Sequence, residues 1–123
     1  MHTIISGMVF KEGEFLMSFG VMGGDMQPQG HVQFLVNLIN FKMNLQEAMD
    51  APRMRSLQGL ELYLEDGIPE GVATTLCEKG HLVIQGNPTT NQVGGGQAIY
   101  LDRMQNVLLG ASDRRKDGHA LGY

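Results

Sequence analysis

Cysteine is nearly absent from this sequence, with Cys77 the only one among 123 residues. A single thiol forms no disulfide within its own chain and offers no cluster of sulfur ligands for a metal. The four histidines, at positions 2, 31, 81 and 119, show no metal-like spacing among themselves or with Cys77. The sequence therefore predicts neither a disulfide framework nor a metal site. For the histidines it predicts structural roles.

Long apolar runs and an excess of basic charge are missing as well. The most apolar stretch, residues 32–43, is too short to span a bilayer and is interrupted by Gln33, Asn37 and Asn40. The formal charge is −4, and no basic run interleaves with aromatic residues. The chain also shows no signal-peptide pattern at its start. We therefore expect no membrane or nucleic-acid partner. The localisation is left open, with the cytoplasm favoured over the periplasm or secretion.

Glycine, by contrast, is abundant, with 17 residues. The most informative pair is Gly23-Gly24, which precedes a helix start that contains Pro28. Adjacent glycines let the backbone turn sharply and leave their N–H groups unobstructed by side chains. Beside a helix N-terminus, such N–H groups stabilise negative charge. The pair fits an oxyanion hole or another anion site, and it equally fits a tight turn between a strand and a helix.

Hydrophobic periodicity predicts an α+β fold with a layered sheet, in a single partial domain over residues 1–123. The predicted strands cover residues 1–10, 15–19, 60–65, 81–85, 97–101 and 106–109, and the predicted helices cover residues 27–42, 45–51 and 69–79. The first helix is apolar on two sides, which predicts burial between layers. The strand at 60–65 alternates, which predicts half exposure. The third helix is predicted to have Ile68, Val72 and Leu76 on its core side, with Cys77 as a small buried residue late in the helix.

Two further segments have alternative interpretations. The run from Gly94 to Gly96 could cradle a phosphate, but no Lys-Ser or Lys-Thr pair follows it, so a close approach to another strand is favoured. The charged run from Asp113 to Asp117 is typical of a solvated or self-paired loop. No Ser-His-Asp set and no Gly-x-Ser-x-Gly motif can be assigned. The residues alone thus indicate an anion-binding turn without a nucleophile.

Three segments together resemble the small subunit of the γ-glutamyltransferase family, also called the γ-glutamyltranspeptidase family. They are Gly23-Gly24 before the apolar helix, residues 45–53 after it, and residues 110–115 with the terminal Gly122-Tyr123. Residues 27–33 are similar to the bacterial and archaeal branch. The resemblance covers nearly the whole chain in order. It implies the C-terminal part of a small subunit, within the αββα four-layer sandwich of N-terminal nucleophile hydrolases.

The resemblance also implies a chemistry. In this family a precursor cleaves itself, and the new N-terminal threonine attacks a γ-glutamyl amide with its own α-amino group as the base. Gly23 and Gly24 would donate N–H groups to the oxyanion. His2 and Thr3 would contact the substrate's α-carboxylate, with His2 standing where the family often has serine. No metal or organic cofactor is implied. The family's nucleophile would lie upstream of Met1, so we expect this chain alone to be inactive.

The partners implied are the large subunit, the N-terminal part of the small subunit and a small-molecule amide. Within the family, two reactions are open: hydrolysis or transfer at γ-glutamyl amides such as glutathione, and an amidohydrolase or acylase reaction on another small acid amide. A third possibility is a truncated, inactive chain that serves as a structural or interaction module. Since a part of a subunit leaves sheet edges and apolar surface uncovered, we expect the isolated chain to oligomerise.

Overall fold

The computed structural model describes residues 5–86 and 91–122. The chain forms two compact units, Met1–Ala51 with Gly94–Tyr123, and Pro52–Val93. The single partial domain over residues 1–123 stays a prediction. The elements are β1 (Gly7–Lys11), β2 (Glu14–Met22), α1 (Met26–Ile39), α2 (Leu45–Asp50), β3 (Met54–Ser56), β4 (Glu61–Glu65), α3 (Glu70–Glu78), β5 (Leu82–Gly86), a 3₁₀ turn (Asn91–Val93), β6 (Gly95–Asp102) and β7 (Val107–Ser112).

The first unit is built on an antiparallel sheet in the order β1-β2-β6-β7. Its first hairpin closes through Glu12 and Gly13, whose φ angles are +55° and +82°. Positive φ at both central residues is the type I′ pattern, whose twist matches that of the flanking strands. The predicted turn at residues 11–14 is therefore confirmed, and β2 runs three residues further than predicted, to Met22.

The core of the first unit lies between this sheet and the two helices. Along β2, Met17, Phe19 and Val21 alternate onto the inner face and are buried. The Phe19 ring packs on Phe34 of α1 at a centroid distance of 5.4 Å. Further buried residues close this core: Ala48, Met49, Ala98 and Ala111. Since a sheet alternates its side chains, the opposite face carries exposed apolar residues, among them Met8, Ile99 and Leu108.

Helix α1 packs on the sheet with one side only. Phe34 and Met26 are buried, whereas Val32 is 61% exposed and Ile39 is 52% exposed. The prediction that this helix is buried between layers is therefore wrong for the chain as it stands, because a single sheet covers a single side. The helix also ends three residues earlier than predicted, at Ile39.

Helix α2 begins with the predicted capping box. The Asn44 side chain accepts a hydrogen bond from the Glu47 N–H at 2.8 Å, and the Glu47 carboxylate accepts one from the Asn44 N–H at 3.0 Å. These two bonds satisfy backbone donors that a helix start otherwise leaves unpaired. Pro52 follows the end of the helix, as expected from its restriction of the preceding residue.

The second unit holds a three-stranded sheet in the order β3-β4-β5, in which β4 pairs antiparallel with β3 and parallel with β5. Strand β4 is buried from Leu62 to Glu65, so the predicted half exposure is wrong: side chains on both faces of the strand are buried. In α3 the buried residue is Ala73, while Val72 and Cys77 are exposed. Ile68 and Leu76 are half-buried, so the prediction is wrong for Val72 and Cys77 only. No helix in the described part of the chain could cross a membrane.

Candidate functional site

Gly23 and Gly24 form the turn that joins β2 to α1. Their φ angles are +128° and +61°, in the region that favours glycine. Their carbonyl oxygens accept the N–H groups of Met26 at 3.1 Å and Gln27 at 3.0 Å, which starts the helix. Within the described ranges, no backbone hydrogen bond uses the N–H group of either glycine. Two amide donors thus lie at the positive end of the α1 dipole.

A second glycine segment supports this turn from β6. A Cβ atom added to Gly23 would lie 3.0 Å from the Cα atom of Gly94. A Cβ atom on Gly94, whose φ is +72°, would lie 2.0 Å from the carbonyl oxygen of Met22. The two backbones are in direct contact, so Gly94 has no room for a side chain, and a side chain at Gly23 would be both crowded and strained by its positive φ. This confirms the interpretation of Gly94 to Gly96 as a close approach between strands.

The helix side of the turn is fixed by His31 and Gly30. The His31 Nε2 atom accepts the N–H of Val21 at 2.9 Å, and its ring packs on Phe19 at a centroid distance of 5.0 Å. Gly30 lies against Val21, where a Cβ atom would meet Cγ1 at 2.7 Å. Burial lowers the pKa of His31 below 6.5, which favours the neutral ring that an acceptor requires. His31 therefore has the structural role predicted for it.

The predicted substrate contacts, His2 and Thr3, lie outside the described residues, so their role stays a prediction. The chain that follows them is tied to the start of α1. The buried Gln27 side chain accepts the backbone N–H of Ile5 at 3.1 Å. Residue 5 is thereby held next to the helix turn that follows Gly24.

The charged run after β7 contains an ion pair whose burial was not predicted from the sequence. Arg115 Nη1 lies 3.0 Å from Asp113 Oδ1, with side chains 2% and 0% exposed. The second oxygen, Asp113 Oδ2, accepts the N–H of Gly96 at 2.8 Å. The run is self-paired as predicted, but the pair is not solvated. The sequence signal for this burial is that the run directly follows an apolar strand.

The described residues form a tight glycine turn at a helix N-terminus, without a complete set of reacting groups. In the described ranges, no three histidine, cysteine or acidic side chains could hold a metal ion. Asp25, which follows the turn, is exposed. What the arrangement offers chemically is two backbone donors in a rigid setting, which suits the charge on a tetrahedral oxyanion.

The chain is similar to known proteins over its whole length. A family model described as gamma-glutamyltranspeptidase matches residues 1–123. The Acylase ACY 1 proenzyme of Pseudomonas sp. (strain SE83) is 37% identical over 111 residues, which are 90% of this chain and 19% of that protein. The glutathione hydrolase-like YwrD proenzyme of Bacillus subtilis (strain 168) is 29% identical over 128 residues, which are 98% of this chain and 24% of that protein.

Among solved structures, the cephalosporin acylase from Bacillus halodurans superposes with a TM-score of 0.90 at 38% identity. The alignment covers 99% of this chain and 23% of that one. This likeness confirms the mixed α and β fold of the N-terminal nucleophile hydrolase type. The chain spans about a fifth of the length of the curated relatives that it matches.

Proposed function

The chain belongs to the gamma-glutamyltranspeptidase family, and on that premise we propose that it supplies the oxyanion hole of an N-terminal nucleophile amide hydrolase. The observation that carries the proposal is the Gly23-Gly24 turn. Two adjacent amides precede a helix of 14 residues, and their carbonyl oxygens, not their N–H groups, bond to the helix. The backbone of Gly94 also packs directly against the turn.

In the proposed reaction, the threonine oxygen of the upstream segment attacks the amide carbon, and its proton passes to the threonine's own α-amino group. The carbonyl π electrons move to the oxygen, which Gly23 and Gly24 hold by two hydrogen bonds. Collapse breaks the C–N bond, and the α-ammonium group returns the proton to the leaving amine. Water or an acceptor amine then releases the acyl group. Each amide donor contributes about 10²–10³-fold in rate.

Two substrate classes follow from the family, and both are small acid amides. Under this proposal, His2 and Thr3 contact the carboxylate of a γ-glutamyl substrate. A second candidate is an acylase reaction, in which the amide joins another small acid to an amine. The observation that favours it is the 37% identity to an acylase, against 29% to the glutathione hydrolase-like relative.

A chimera tests these alternatives. Residues 1–123 replace the matching segment of the Bacillus halodurans acylase, which supplies the remaining chain. The purified protein is offered a γ-glutamyl anilide, an oxamate amide and an acylated β-lactam amide, with the unmodified acylase as the control. Turnover of the γ-glutamyl anilide supports the first candidate. Turnover of the others alone supports the acylase reaction. A folded chimera that turns over none of them would contradict both and favour the inactive module.

A further inference from the structure

The segment after β7 folds into a tight turn around one carboxylate. The Asp113 carbonyl oxygen accepts the N–H of Lys116 at 3.1 Å, which closes the turn. The Asp113 Oδ1 atom accepts both the backbone N–H of Arg115 at 2.9 Å and its Nη1 at 3.0 Å. The Asp113 carboxylate therefore holds both the backbone and the guanidinium group of Arg115, which fixes the direction of the guanidinium.

That direction is the C-terminal end of α2. The Arg115 guanidinium donates to the carbonyl oxygens of Met49, Asp50 and Ala51 at 3.2, 3.3 and 2.9 Å. The last carbonyl oxygens of a helix lack partners within the helix and carry partial negative charge, so a planar cation fits them well. The Gln46 amide also donates to the carbonyl oxygen of Ser112 at 2.9 Å. Helix α2 and residues 112–115 are thus joined at several points.

The other side of the carboxylate faces the glycine segment of β6. Asp113 Oδ2 accepts the Gly96 N–H at 2.8 Å, and the Asp113 N–H donates to the Gly96 carbonyl oxygen at 3.0 Å. A Cβ atom on Gly96 would lie 2.5 Å from the Met49 sulfur, so this strand lies directly on α2. Two residues earlier, Gly94 contacts Gly23. The contacts run without a gap from α2 through Asp113 to the turn.

We propose that Asp113 and Arg115 are positioning residues that hold the Gly23-Gly24 turn in its donor geometry. The role of the turn itself rests on the function proposed above. A buried ion pair adds little net stability, because desolvating two charges offsets their attraction. Here the pair fixes the position of the Gly96 backbone. Through Gly94, in the same segment, it also fixes the position of Gly23. A small displacement of this segment would misalign both amides while leaving the fold intact.

The test compares Arg115→Lys with Arg103→Lys in the chimera described above. Lysine keeps the charge but loses the planar fork that reaches three carbonyl oxygens and a carboxylate. Arg103 makes an exposed pair with Glu14 at 3.0 Å, so its variant is a matched control. Two readouts are taken: amide hydrogen exchange of peptides that cover residues 20–26, and kcat and KM on the substrate that the chimera turns over.

We expect Arg115→Lys to speed exchange at residues 20–26 by about 10-fold, and to lower kcat by about 10- to 100-fold with KM changed less than about twofold. Arg103→Lys should change neither. Unchanged exchange at residues 20–26 in Arg115→Lys would overturn the positioning role, whatever the activity. Unchanged kcat in a variant with faster exchange would also overturn it. Faster exchange in a chimera without turnover would support the coupling and count against the proposed function.

Discussion

Single residues decide whether the turn between β2 and α1 can act as proposed. Gly24 and Gly59 have nearly the same φ, +61° and +62°, so alanine strains the backbone equally at both. Of these two glycines, only Gly24 belongs to the proposed oxyanion hole. We therefore expect Gly24→Ala to lower kcat about 100-fold with little change in KM, and Gly59→Ala to leave both within about twofold. Steady-state kinetics of the two chimera variants checks this. Equal losses would indicate a general effect of strain.

His31 gives the molecule a pH dependence whose sign follows from its contacts. Burial lowers its pKa below 6.5, so the unfolded chain binds more protons than the folded protein as the pH falls through 6.5. The stability from the neutral ring is fully present above that pH and is lost as the pH falls through the folded pKa.

In His31→Gln the amide oxygen can accept the Val21 N–H without titrating. Thermal midpoints at about pH 7.5 and about pH 5 should therefore differ less in this variant than in the unaltered protein. An equal loss of stability toward acid in both proteins would show that His31 does not set this dependence.

The part of the site that could be predicted from the sequence depends on residues adjacent in the chain. Gly23-Gly24 could be identified because a turn, a helix start and free amides all depend on local backbone. The close approach at Gly94 to Gly96 was also predicted, but its partner Gly23 and the bond from Gly96 to Asp113 were not, because residues distant in the sequence meet only in the folded chain. Charge patterning predicted a solvated or self-paired loop at residues 113–117; the pairing is present, but its burial depends on tertiary packing that the local sequence does not specify.

At the scale of elements, two helical glycines should respond to the same substitution in opposite directions. In α1, a Cβ atom on Gly30 would meet Val21 Cγ1 at 2.7 Å, which forces the helix away from β2. In α3, Gly71 has nothing within 4 Å. We expect Gly30→Ala to destabilise the protein by about 1–3 kcal/mol, and Gly71→Ala to stabilise it by about 0.5–1 kcal/mol. Urea unfolding measures both. A stabilising Gly30→Ala would contradict the packing described.

Element type and hairpin turns followed from the sequence, while the pairing of distant strands did not. Glu12-Gly13 and the Asn44–Glu47 box are local signals, and both are present as predicted. The parallel pairing of β4 with β5 needs α3 to cross between them, and no local residue specifies it. Side chains on both faces of β4 are buried, so its alternating residues do not alternate in exposure.

At the scale of the whole molecule, the apolar surface of the first unit is the main feature. Val32, Val36 and Ile39 form an exposed stripe on α1, and the outer face of the sheet carries Met8 and Leu108, each 67% exposed. Surfaces of this kind mark interfaces or promote association. The relatives are proenzymes about five times as long, which is consistent with the proposal that further chain covers these faces.

We therefore expect the isolated chain of 123 residues to self-associate. Val32→Glu should raise the share of monomer, because a charge in an apolar contact is costly to desolvate. Val72→Glu, at another exposed valine, is the matched control and should change little. Light scattering after size-exclusion chromatography at several concentrations measures the masses. A monodisperse monomer across that range would contradict the expectation.

The contact between Gly23 and Gly94 has a consequence for diversification of this enzyme class. Because the two segments touch through backbone atoms, a randomised library should return active clones with glycine retained at both positions. The neighbouring Met22 and Asp25 are exposed and carry side chains that the contact does not use. If the turn acts as proposed, side chains at positions 22 and 25 can vary without moving the two amides, so a change of substrate would require no new oxyanion hole.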